Sequence, residues 1–402
     1  MTPLESPLRP HAPLHDAGTW TDVTGARCGV ARGPIKPTTT SPDVVVLHAP
    51  GTAAAVITRS TAAAPPCRWS RARVPGPVEA VVINSGNANA ATGAAGLADA
   101  AETASAVAAV LGCTSDAVLV CSTGVIGVPL PMDRLLPAVR AAAADLSAPG
   151  QAAADAIMTT DLAPKQAACT VGGITVAGIA KGSGMIHPDM ATMLGFLATD
   201  AAVAADDLQG ILQAAVNRSF NAVTVDGDMS TNDTVTLHAT GTGAPIQAGS
   251  AAWAALEAAL EAVCVHLARA IARDGEGAEH LLTVIVEGTS DDATAREAAR
   301  AVARSPLVKS AVHGGDPNWG RVVGALGAHG IAGIDALDLD FGGVPVLRAG
   351  APVAGWDEDA AAAAMREEEV VVHARLPGPG LGVAWGCDLT AGYVRINADY
   401  RS

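Results

Sequence analysis

The residues of this sequence best suited to chemistry are hydroxyl and amide side chains gathered in glycine-rich segments. Seven segments mix Gly with Ser, Thr or Asn within a few positions: 84–93, 121–127, 158–165, 178–200, 220–234, 314–327 and 393–402. Glycine permits a positive φ and a close backbone approach, and the polar side chains supply neutral donors and acceptors. One such segment fits an ordinary turn, but seven in an alanine-rich chain favour a binding or catalytic site.

Motifs for several other chemistries are missing. The sequence has no GxGxxG after a strand, no GxxxxGK[ST], no HExxH and no GxSxG. No sequence motif therefore supports nucleotide binding, a zinc-dependent hydrolase or a serine hydrolase with a nucleophile elbow. The seven cysteines form no CxxC pair, and the ten histidines do not cluster at ligand spacing. The chemistry that remains is that of a threonine hydroxyl.

A threonine hydroxyl is a poor nucleophile unless a base removes its proton. One suitable base is the residue's own α-amino group, which exists only where the residue begins a chain and has a pKa near 7.7–8. A cut before Thr192 would create it, because the segment 182–184 is flexible, Pro188 fixes a turn and the small Ala191 leaves the hydroxyl room to attack. From these residues alone, an N-cap role before a helix over 193–198 is favoured.

Taken together, the seven segments resemble the ornithine acetyltransferase family, the glutamate N-acetyltransferases of the cyclic arginine pathway. They occur in the family's order over nearly the whole chain, and KGSGMIHPDMATML and FNAVTVDGDMSTNDT are the most specific. The resemblance implies a self-cleaving enzyme with an N-terminal nucleophile, cut between Ala191 and Thr192. Given this resemblance, we interpret Thr192 as the nucleophile and not as a helix N-cap.

The resemblance also implies roles for other residues. Thr123 and Gly124 match an oxyanion-hole pair, in which a hydroxyl and a backbone N–H stabilise a tetrahedral intermediate. Lys181 matches a lysine whose ammonium would hold a substrate carboxylate. Glu276 matches a glutamate that would pair with the δ-amine of ornithine. The remaining expected substrate contacts are Thr159, Thr192 itself, Asn397 and Ser402. At Thr159 the match is uncertain by one position, because Thr160 follows directly.

The implied reaction is a ping-pong transfer. Thr192 takes the acetyl group of N2-acetyl-L-ornithine, ornithine leaves, and L-glutamate accepts the acetyl group from the acetyl-threonine ester. No cofactor is implied, and acetyl-CoA enters only as a co-substrate if the enzyme is bifunctional. The implied partners are N-acetylornithine, glutamate and ornithine, and the α and β fragments of one precursor, assembled as an α2β2 heterotetramer.

Three other interpretations remain open at this point. The enzyme could be bifunctional and also use acetyl-CoA. It could be a related N-terminal-nucleophile amidase or esterase of a secondary pathway, which would release free acetate instead of acetylglutamate. It could also be an inactive regulatory or scaffold protein, although the presence of Thr192, Thr123 and Lys181 argues against this.

Two further features of the sequence concern the site. His187 and Asp189 stand where the family commonly has Ala and Asn, so the flank of the expected cut is more charged. Asp226, Asp228 and Asp233, with Asn232, superficially resemble a calcium loop. They lack the Glu at position 12, and so no metal site is predicted.

The elements that would position these residues alternate between strands and helices. Apolar runs rich in Val and Ile predict strands at 44–47, 80–83, 117–121, 281–286 and 370–374, the alternating run 234–240 predicts a half-exposed strand, and YVRINA (393–398) is strand-like. Helices are predicted over 97–111, 206–220, 251–273, 293–304 and 357–366. This alternation is typical of an α/β or α+β protein.

The resemblance makes the expected fold more specific. It implies a layered α/β/β/α sandwich of the aminopeptidase/ornithine acetyltransferase type, with a smaller C-terminal α/β domain. The predicted domains are a catalytic α/β domain over 1–283, with a smaller lobe within about 200–283, and a C-terminal α/β domain over 284–402.

Composition excludes several other classes of protein. The net charge of −15 disfavours nucleic acid or an anionic membrane as a partner, since both need a basic surface. An odd number of scattered cysteines indicates reduced thiols. The polar, Pro-rich N-terminus is not a signal peptide, and no uncharged apolar run of about 18 residues is present. The expectation is a soluble protein of the cytoplasm.

Overall fold

The computed structural model of the chain describes residues 11–36, 40–187 and 193–399. Contacts divide these residues into two units. The larger unit comprises 11–36, 40–187, 193–221 and 228–267, and the C-terminal unit comprises Ala222–Gly227 and 268–399. The division lies inside the helix Ala251–Arg273, earlier in the chain than the boundary expected between 283 and 284. The two domains expected from the sequence remain a prediction.

One sheet forms the centre of the larger unit. Its strands are β1 (Arg27–Ala31), β2 (Val44–Ile57), β3 (Gly76–Asn87), β4 (Val118–Val125), β5 (Lys165–Val171), β6 (Ile174–Lys181), β7 (Leu194–Thr199) and β8 (Thr234–Ala239). They are ordered β4-β3-β2-β8-β7-β6-β5, with β1 also pairing with β2. The pairs β3–β4 and β7–β8 are parallel, and the other described pairs are antiparallel. The helices of this unit are α1 (Pro65–Arg71), α2 (Gly93–Leu111), α3 (Met132–Ala144), α4 (Gly150–Ile157), α5 (Ala205–Arg218) and most of α6 (Ala251–Arg273).

The long strand β2 joins two halves of this sheet. Its first part pairs with β1 and β3, and its second part pairs with β8. Helix α4 contacts both β3 and β5, which lie five positions apart in the strand order. In a flat sheet these two strands would be about 24 Å apart, whereas an eight-residue helix is only about 12 Å long. The sheet therefore folds back around α4, and its two halves share one core.

Helices cover the outer faces of both halves. Helices α2 and α3 pack on the outer face of β2, β3 and β4, where Val44, Val46 and Val82 meet Val107 and Val139. On the other half, α5 contacts β2 and β8. In β6, Ala177 belongs to the inner core, whereas the neighbouring Gly178 lies beside Leu267 of α6. The order of layers is α/β/β/α, which confirms the fold class expected from the resemblance.

Two local expectations about this unit are wrong. Residues 193–198 do not form a helix, because β7 pairs with β6 on one side and with β8 on the other. Strand β8 is not half-exposed, since it lies between β2 and β7 and all its residues are buried. In both cases the position within the sheet, and not the local pattern of residues, decides the outcome.

Among the described helices, α2 and α6 are long and apolar enough to cross a membrane. Within the fold, 39% of the apolar stretch of α2 and 50% of that of α6 are buried. Helix α2 packs against α3 and β4 through its alanines and Val107. Length and hydropathy do not distinguish such a core helix from a membrane span.

The C-terminal unit is built on a second sheet. Its strands are β9 (Leu281–Thr289), β10 (Asp338–Phe341), β11 (Val344–Arg348), β12 (Ala351–Pro352), β13 (Glu369–Arg375) and β14 (Gly380–Cys387), in the order β12-β11-β10-β13-β9-β14. Its helices are the end of α6, α7 (Asp292–Ala303), α8 (Pro306–Gly314), α9 (Trp319–Ala328), α10 (Glu358–Ala364) and α11 (Ala391–Asp399). Helix α7 packs on β9 and β14 and covers an apolar core.

The C-terminal segment YVRINA is helical, so the expectation of a strand there is wrong. It lies within α11. The hydroxyl of Thr390 accepts the N–H groups of Gly392 at 2.9 Å and Tyr393 at 3.4 Å. This is the hydrogen bonding of an N-cap, which satisfies donors that the first helical turn leaves without partners.

Candidate active site

Thr123 and Gly124 lie at the carboxyl end of β4, where it runs parallel to β3. Thr123 is buried and aligns with Ser85 and Asn87 at a shift in register. Gly124 has a φ of +132°, and a Cβ there would lie 2.3 Å from the carbonyl carbon of Gly86. Only glycine is compatible with this approach. A hydroxyl and a backbone N–H therefore occupy adjacent positions where two strands end, as an oxyanion site requires.

Amide side chains connect this edge to a distant segment. The Ser122 hydroxyl donates to Asn84 Oδ1 at 2.6 Å, and the Asn84 amide donates to the Asn87 carbonyl at 2.8 Å. The amide of Asn232 donates to the carbonyls of Ser122 and Ala88, at 2.9 and 2.6 Å. Three of the glycine-rich segments thus meet here. Asn84, Ser122 and Asn232 all lie within these segments, but the sequence alone assigns no role to Asn84 or Ser122 and places Asn232 only in the rejected calcium loop.

Thr159 and Lys181 both lie next to the buried carboxylate of Asp161. Asp161 Oδ2 accepts the N–H of Thr159 at 3.0 Å and lies 3.9 Å from Lys181 Nζ. Its Oδ1 accepts the N–H of Gly182 at 2.6 Å and pairs with Lys165 Nζ at 2.7 Å. Burial by itself would raise the pKa of Asp161, but the charges of Lys181 and Lys165 outweigh it and lower the pKa to about 2. The site therefore contains a carboxylate that is ionised at neutral pH.

A second buried carboxyl group lies beside the start of β7. Asp233 is fully buried, and its Oδ1 accepts the N–H of Met193 at 3.0 Å. Its Oδ2 has no hydrogen-bond partner among the residues that the structure describes. Burial raises the pKa of Asp233 well above its ordinary value. Sequence reasoning considered Asp233 only in a rejected calcium loop, and the structure shows it holding the residue that follows the expected nucleophile.

The ends of three strands meet at this point. Leu194 at the start of β7 aligns with Lys181 at the end of β6 and with Thr234 at the start of β8. Thr192 and Ala191, expected to be the nucleophile and the other side of the cut, lie outside the described residues. Met193, which follows Thr192 in the sequence, precedes the first residue of β7 and so lies at the strand edge that carries Lys181.

The raised pKa of Asp233 predicts a specific dependence of stability on pH. A neutral Asp233 favours the fold at low pH, and this contribution is lost as the pH rises through the raised pKa. Asp233→Asn cannot ionise and keeps an oxygen that can accept from Met193. We expect the melting temperature of Asp233→Asn, relative to the wild type, to rise as the pH increases. Thermal unfolding from pH 5 to 10 measures this, and a pH-independent difference would contradict it.

Glu276 and Asn397 meet within the C-terminal unit. The Asn397 amide donates to Glu276 Oε2 at 2.8 Å. The loop after Glu276 is fixed against α11, because the Thr390 hydroxyl donates to the Gly277 carbonyl at 2.7 Å. Gly277 has a φ of +72°, and a Cβ there would lie 2.5 Å from the N atom of Tyr393. These contacts bring two of the expected substrate-binding residues together, while Ser402 lies outside the described residues.

One other cluster of the C-terminal unit has the residue types of a metal site. Ligand atoms of Glu279, His280 and Asp388 lie within 4.8 Å of one another. Asp388 Oδ1 already accepts the N–H groups of Glu279 and His280, at 2.8 and 3.0 Å. Asp388 Oδ2 lies 3.1 Å from Nδ1 of His313. These contacts explain the cluster without an ion, and the expectation of no metal remains a prediction.

Comparisons with known proteins identify the family. A profile of the ArgJ family matches residues 25–402. The arginine biosynthesis bifunctional protein ArgJ of Symbiobacterium thermophilum is 52% identical over 373 residues, which cover 90% of this chain and 92% of that protein. The protein of the same name from Thermus thermophilus is 47% identical over 386 residues, which cover 94% of this chain and 98% of that protein.

A solved structure is also similar. The crystal structure of the arginine biosynthesis bifunctional protein argJ from Bacillus halodurans has 42% sequence identity and a TM-score of 0.51. The match covers 100% of that chain but only 52% of this one. The family profile and the long alignments with the curated relatives agree with the sequence resemblance and with the observed fold. This chain belongs to the ArgJ family.

Proposed function

We propose that the chain transfers the acetyl group of N2-acetyl-L-ornithine to L-glutamate through an acetyl ester on Thr192. As a member of the ArgJ family, it is an acetyltransferase of arginine biosynthesis. One observation supports the assignment to Thr192 most directly. The N–H of Met193, the next residue, is held by buried Asp233 where the ends of β6, β7 and β8 meet beside Lys181.

In the proposed first half-reaction, the hydroxyl oxygen of Thr192 attacks the acetyl carbonyl of N-acetylornithine. The α-amino group of Thr192 accepts the hydroxyl proton and passes it to the leaving nitrogen as the amide C–N bond breaks. Ornithine departs, and the acetyl group remains as an ester. In the second half-reaction the amino group of glutamate attacks this ester, and the Thr192 hydroxyl is restored. Atoms and protons balance without a cofactor.

The other residues would act on developing charge and on substrate position. The Thr123 hydroxyl and the Gly124 N–H would stabilise the oxyanion of each tetrahedral intermediate. Lys181 and Thr159 would bind the substrate, with the Lys181 ammonium facing a carboxylate. Glu276, Asn397 and Ser402 would be further substrate contacts. The support for this set is the pairwise grouping of Thr159 with Lys181 and of Glu276 with Asn397.

Self-cleavage between Ala191 and Thr192 is part of the proposal, because only a cut creates the amino group that acts as base. Cleavage would leave fragments of 191 and 211 residues (402 − 191 = 211). We further propose that the fragments assemble as an α2β2 heterotetramer in the cytoplasm.

A second reaction has specific support. The curated relatives are named bifunctional proteins of arginine biosynthesis. Acetylation of glutamate by acetyl-CoA would use the same chemistry, since Thr192 could take the acetyl group from a thioester in place of an amide. We therefore propose acetyl-CoA as an alternative acetyl donor and not as a bound cofactor.

Product analysis tests these proposals. The purified enzyme is incubated with N-acetylornithine alone, with N-acetylornithine and glutamate, and with acetyl-CoA and glutamate, and the products are identified by mass spectrometry. Acetylglutamate in the second incubation supports the transferase. Free acetate without acetylglutamate would indicate an amidase or esterase instead. Acetylglutamate in the third incubation supports the bifunctional enzyme, and its absence there limits the enzyme to acetylornithine.

Glu276→Gln is expected to raise the KM for N-acetylornithine at least about tenfold, since it removes one charge-assisted contact with the δ-ammonium. The amide keeps the shape of the side chain and can still accept from Asn397, so the loop should be retained. Glu276→Asp keeps the charge and should raise the KM less. Steady-state kinetics of both variants measure the effect, and an unchanged KM in Glu276→Gln would remove Glu276 from the ornithine site.

A further inference from the structure

We infer that Asp161 is a positioning residue that orients Lys181 and Thr159 toward the carboxylate of an amino-acid substrate. The inference rests on the proposed function, in which Lys181 binds that carboxylate. Asp161 does not itself touch the substrate in this scheme. It acts through two residues that do, and through the neutralising partner Lys165.

The contacts of Asp161 come from two separate segments of chain. Its own loop contributes the N–H of Thr159, at 3.0 Å from Oδ2. Strand β6 and the residue after it contribute Lys181 Nζ, at 3.9 Å from Oδ2, and the N–H of Gly182, at 2.6 Å from Oδ1. A hydrogen bond of 2.6 Å between the hydroxyls of Thr160 and Ser183 joins the same two segments. One carboxylate thus fixes both the backbone beside Thr159 and the end of the strand that carries Lys181.

The distances give the two lysines different tasks. Lys165 is the first residue of β5, and its Nζ makes a direct ion pair with Asp161 Oδ1 at 2.7 Å. Lys181 Nζ is 3.9 Å from the other oxygen, at the limit of an ion pair. Among these three groups, one negative charge faces two positive charges. Lys165 therefore supplies the close neutralising contact, and Asp161 orients the ammonium of Lys181 without holding it in a short hydrogen bond.

Burial makes this arrangement costly to alter. The side chains of Asp161, Lys165 and Lys181 are exposed by only 0%, 3% and 3%. Removing the charge of Asp161 alone would take away the carboxylate that two buried ammonium groups share, and such a variant is expected to fold poorly. The informative variant therefore changes Asp161 and Lys165 together. Asp161→Asn with Lys165→Met removes one charge of each sign, and the stem of methionine replaces that of lysine.

The readout is a ratio of specificities. The wild type and the double variant are each assayed for release of the free amine from N-acetylornithine and from N-acetylputrescine, which lacks the α-carboxylate. We expect the wild type to have a higher kcat/KM for N-acetylornithine than for N-acetylputrescine. In the double variant this ratio should fall at least about tenfold, mainly because the KM for N-acetylornithine rises. A general loss of structure would lower both activities together and leave the ratio unchanged.

Asp340→Asn is the matched control. Asp340 is also a buried carboxylate between two cations, since Arg348 Nη1 lies 2.6 Å from one oxygen and Arg375 Nη2 2.7 Å from the other. It belongs to the C-terminal unit and has no place in the proposed mechanism. Its variant should lower the melting temperature without changing the specificity ratio.

The possible outcomes separate this inference from the proposed function. A wild type that releases no amine from N-acetylornithine contradicts the proposed function. A wild type that transfers acetyl groups without preference for the α-carboxylate overturns the inference. A double variant with the specificity ratio of the wild type also overturns the inference. A reduced ratio in the double variant, together with an unchanged ratio in Asp340→Asn, supports the inference. If the double variant fails to fold, Asp161→Glu, which keeps the charge but displaces it, provides the same test.

Discussion

Thr192→Ala is expected to yield one uncut chain of 402 residues without acetyltransferase activity. The wild type should instead give two bands on a denaturing gel, corresponding to residues 1–191 and 192–402. The reason is chemical. The hydroxyl of Thr192 is needed first to attack the carbonyl of Ala191 in an N→O acyl shift, and the resulting ester is then hydrolysed. Only this event creates the amino group that serves as base in catalysis.

Two further variants separate the hydroxyl from the shape of the side chain. Thr192→Ser keeps the hydroxyl and should still be cut, at a lower rate. Thr192→Val is nearly isosteric but has no oxygen, so it should behave like Thr192→Ala. N-terminal sequencing of the larger wild-type fragment should read Thr-Met-Leu-Gly. A wild type that remains a single chain and nevertheless transfers acetyl groups would show that the N-terminal-nucleophile mechanism is wrong.

Gly124→Ala is expected to be the next most damaging substitution, because a Cβ at this position would lie 2.3 Å from the carbonyl carbon of Gly86 and 2.5 Å from the N atom of Asn87. The clash is with backbone, so β3 and β4 must separate. We expect a loss of at least about 2 kcal/mol in the free energy of unfolding, from overpacking and the unfavourable positive φ. Activity should fall at least about 100-fold, since the Gly124 N–H would move.

Thr123→Ala tests the same site without this clash. Loss of one oxyanion donor should lower kcat by about 10²–10³ while the melting temperature changes little. Gly210→Ala is the control for adding a methyl group, because Gly210 lies in α5 and a Cβ there would meet no atom within 4 Å outside its own helix backbone and chain neighbours. It should leave activity intact and slightly stabilise the helix. Normal kcat in Thr123→Ala would remove the hydroxyl from the oxyanion site.

The sequence predicted those elements whose residues carry a strong local pattern. The Val-rich runs 44–47, 80–83 and 117–121 predict only parts of β2, β3 and β4, which the structure extends to longer strands. The helix predicted over 251–273 has the observed bounds of α6. Strands β5 and β6 were not predicted, because alanines, glycine and a lysine at an end of each strand weaken the apolar pattern. Residues 193–198 by themselves favour a helix, and only their pairing with β6 and β8 makes them a strand.

The candidate site was predicted as separate residues and not as an arrangement. The resemblance supplied Thr159 and Lys181, but nothing in the sequence indicates that Asp161 joins them. The same holds for Asp233, whose importance comes from complete burial and from a contact with Met193, 40 positions away. Burial and long-range contact depend on the fold of the whole unit, so a carboxylate of this kind looks like an ordinary polar residue in the sequence.

The order of strands in the larger unit determines how the protein can refold. Strands β7 and β8 follow the proposed cut and lie between β2 and β6, which precede it. Once cut, the fragments cannot separate without breaking the β2–β8 and β6–β7 ladders and opening the shared core. This interleaved arrangement is most easily reached if the chain folds before it is cut. Recovery from the denatured state then becomes a bimolecular reaction that depends on concentration, whereas the uncut Thr192→Ala chain can refold as one molecule. Maturation would thus convert an equilibrium fold into one that persists because its unfolding is slow.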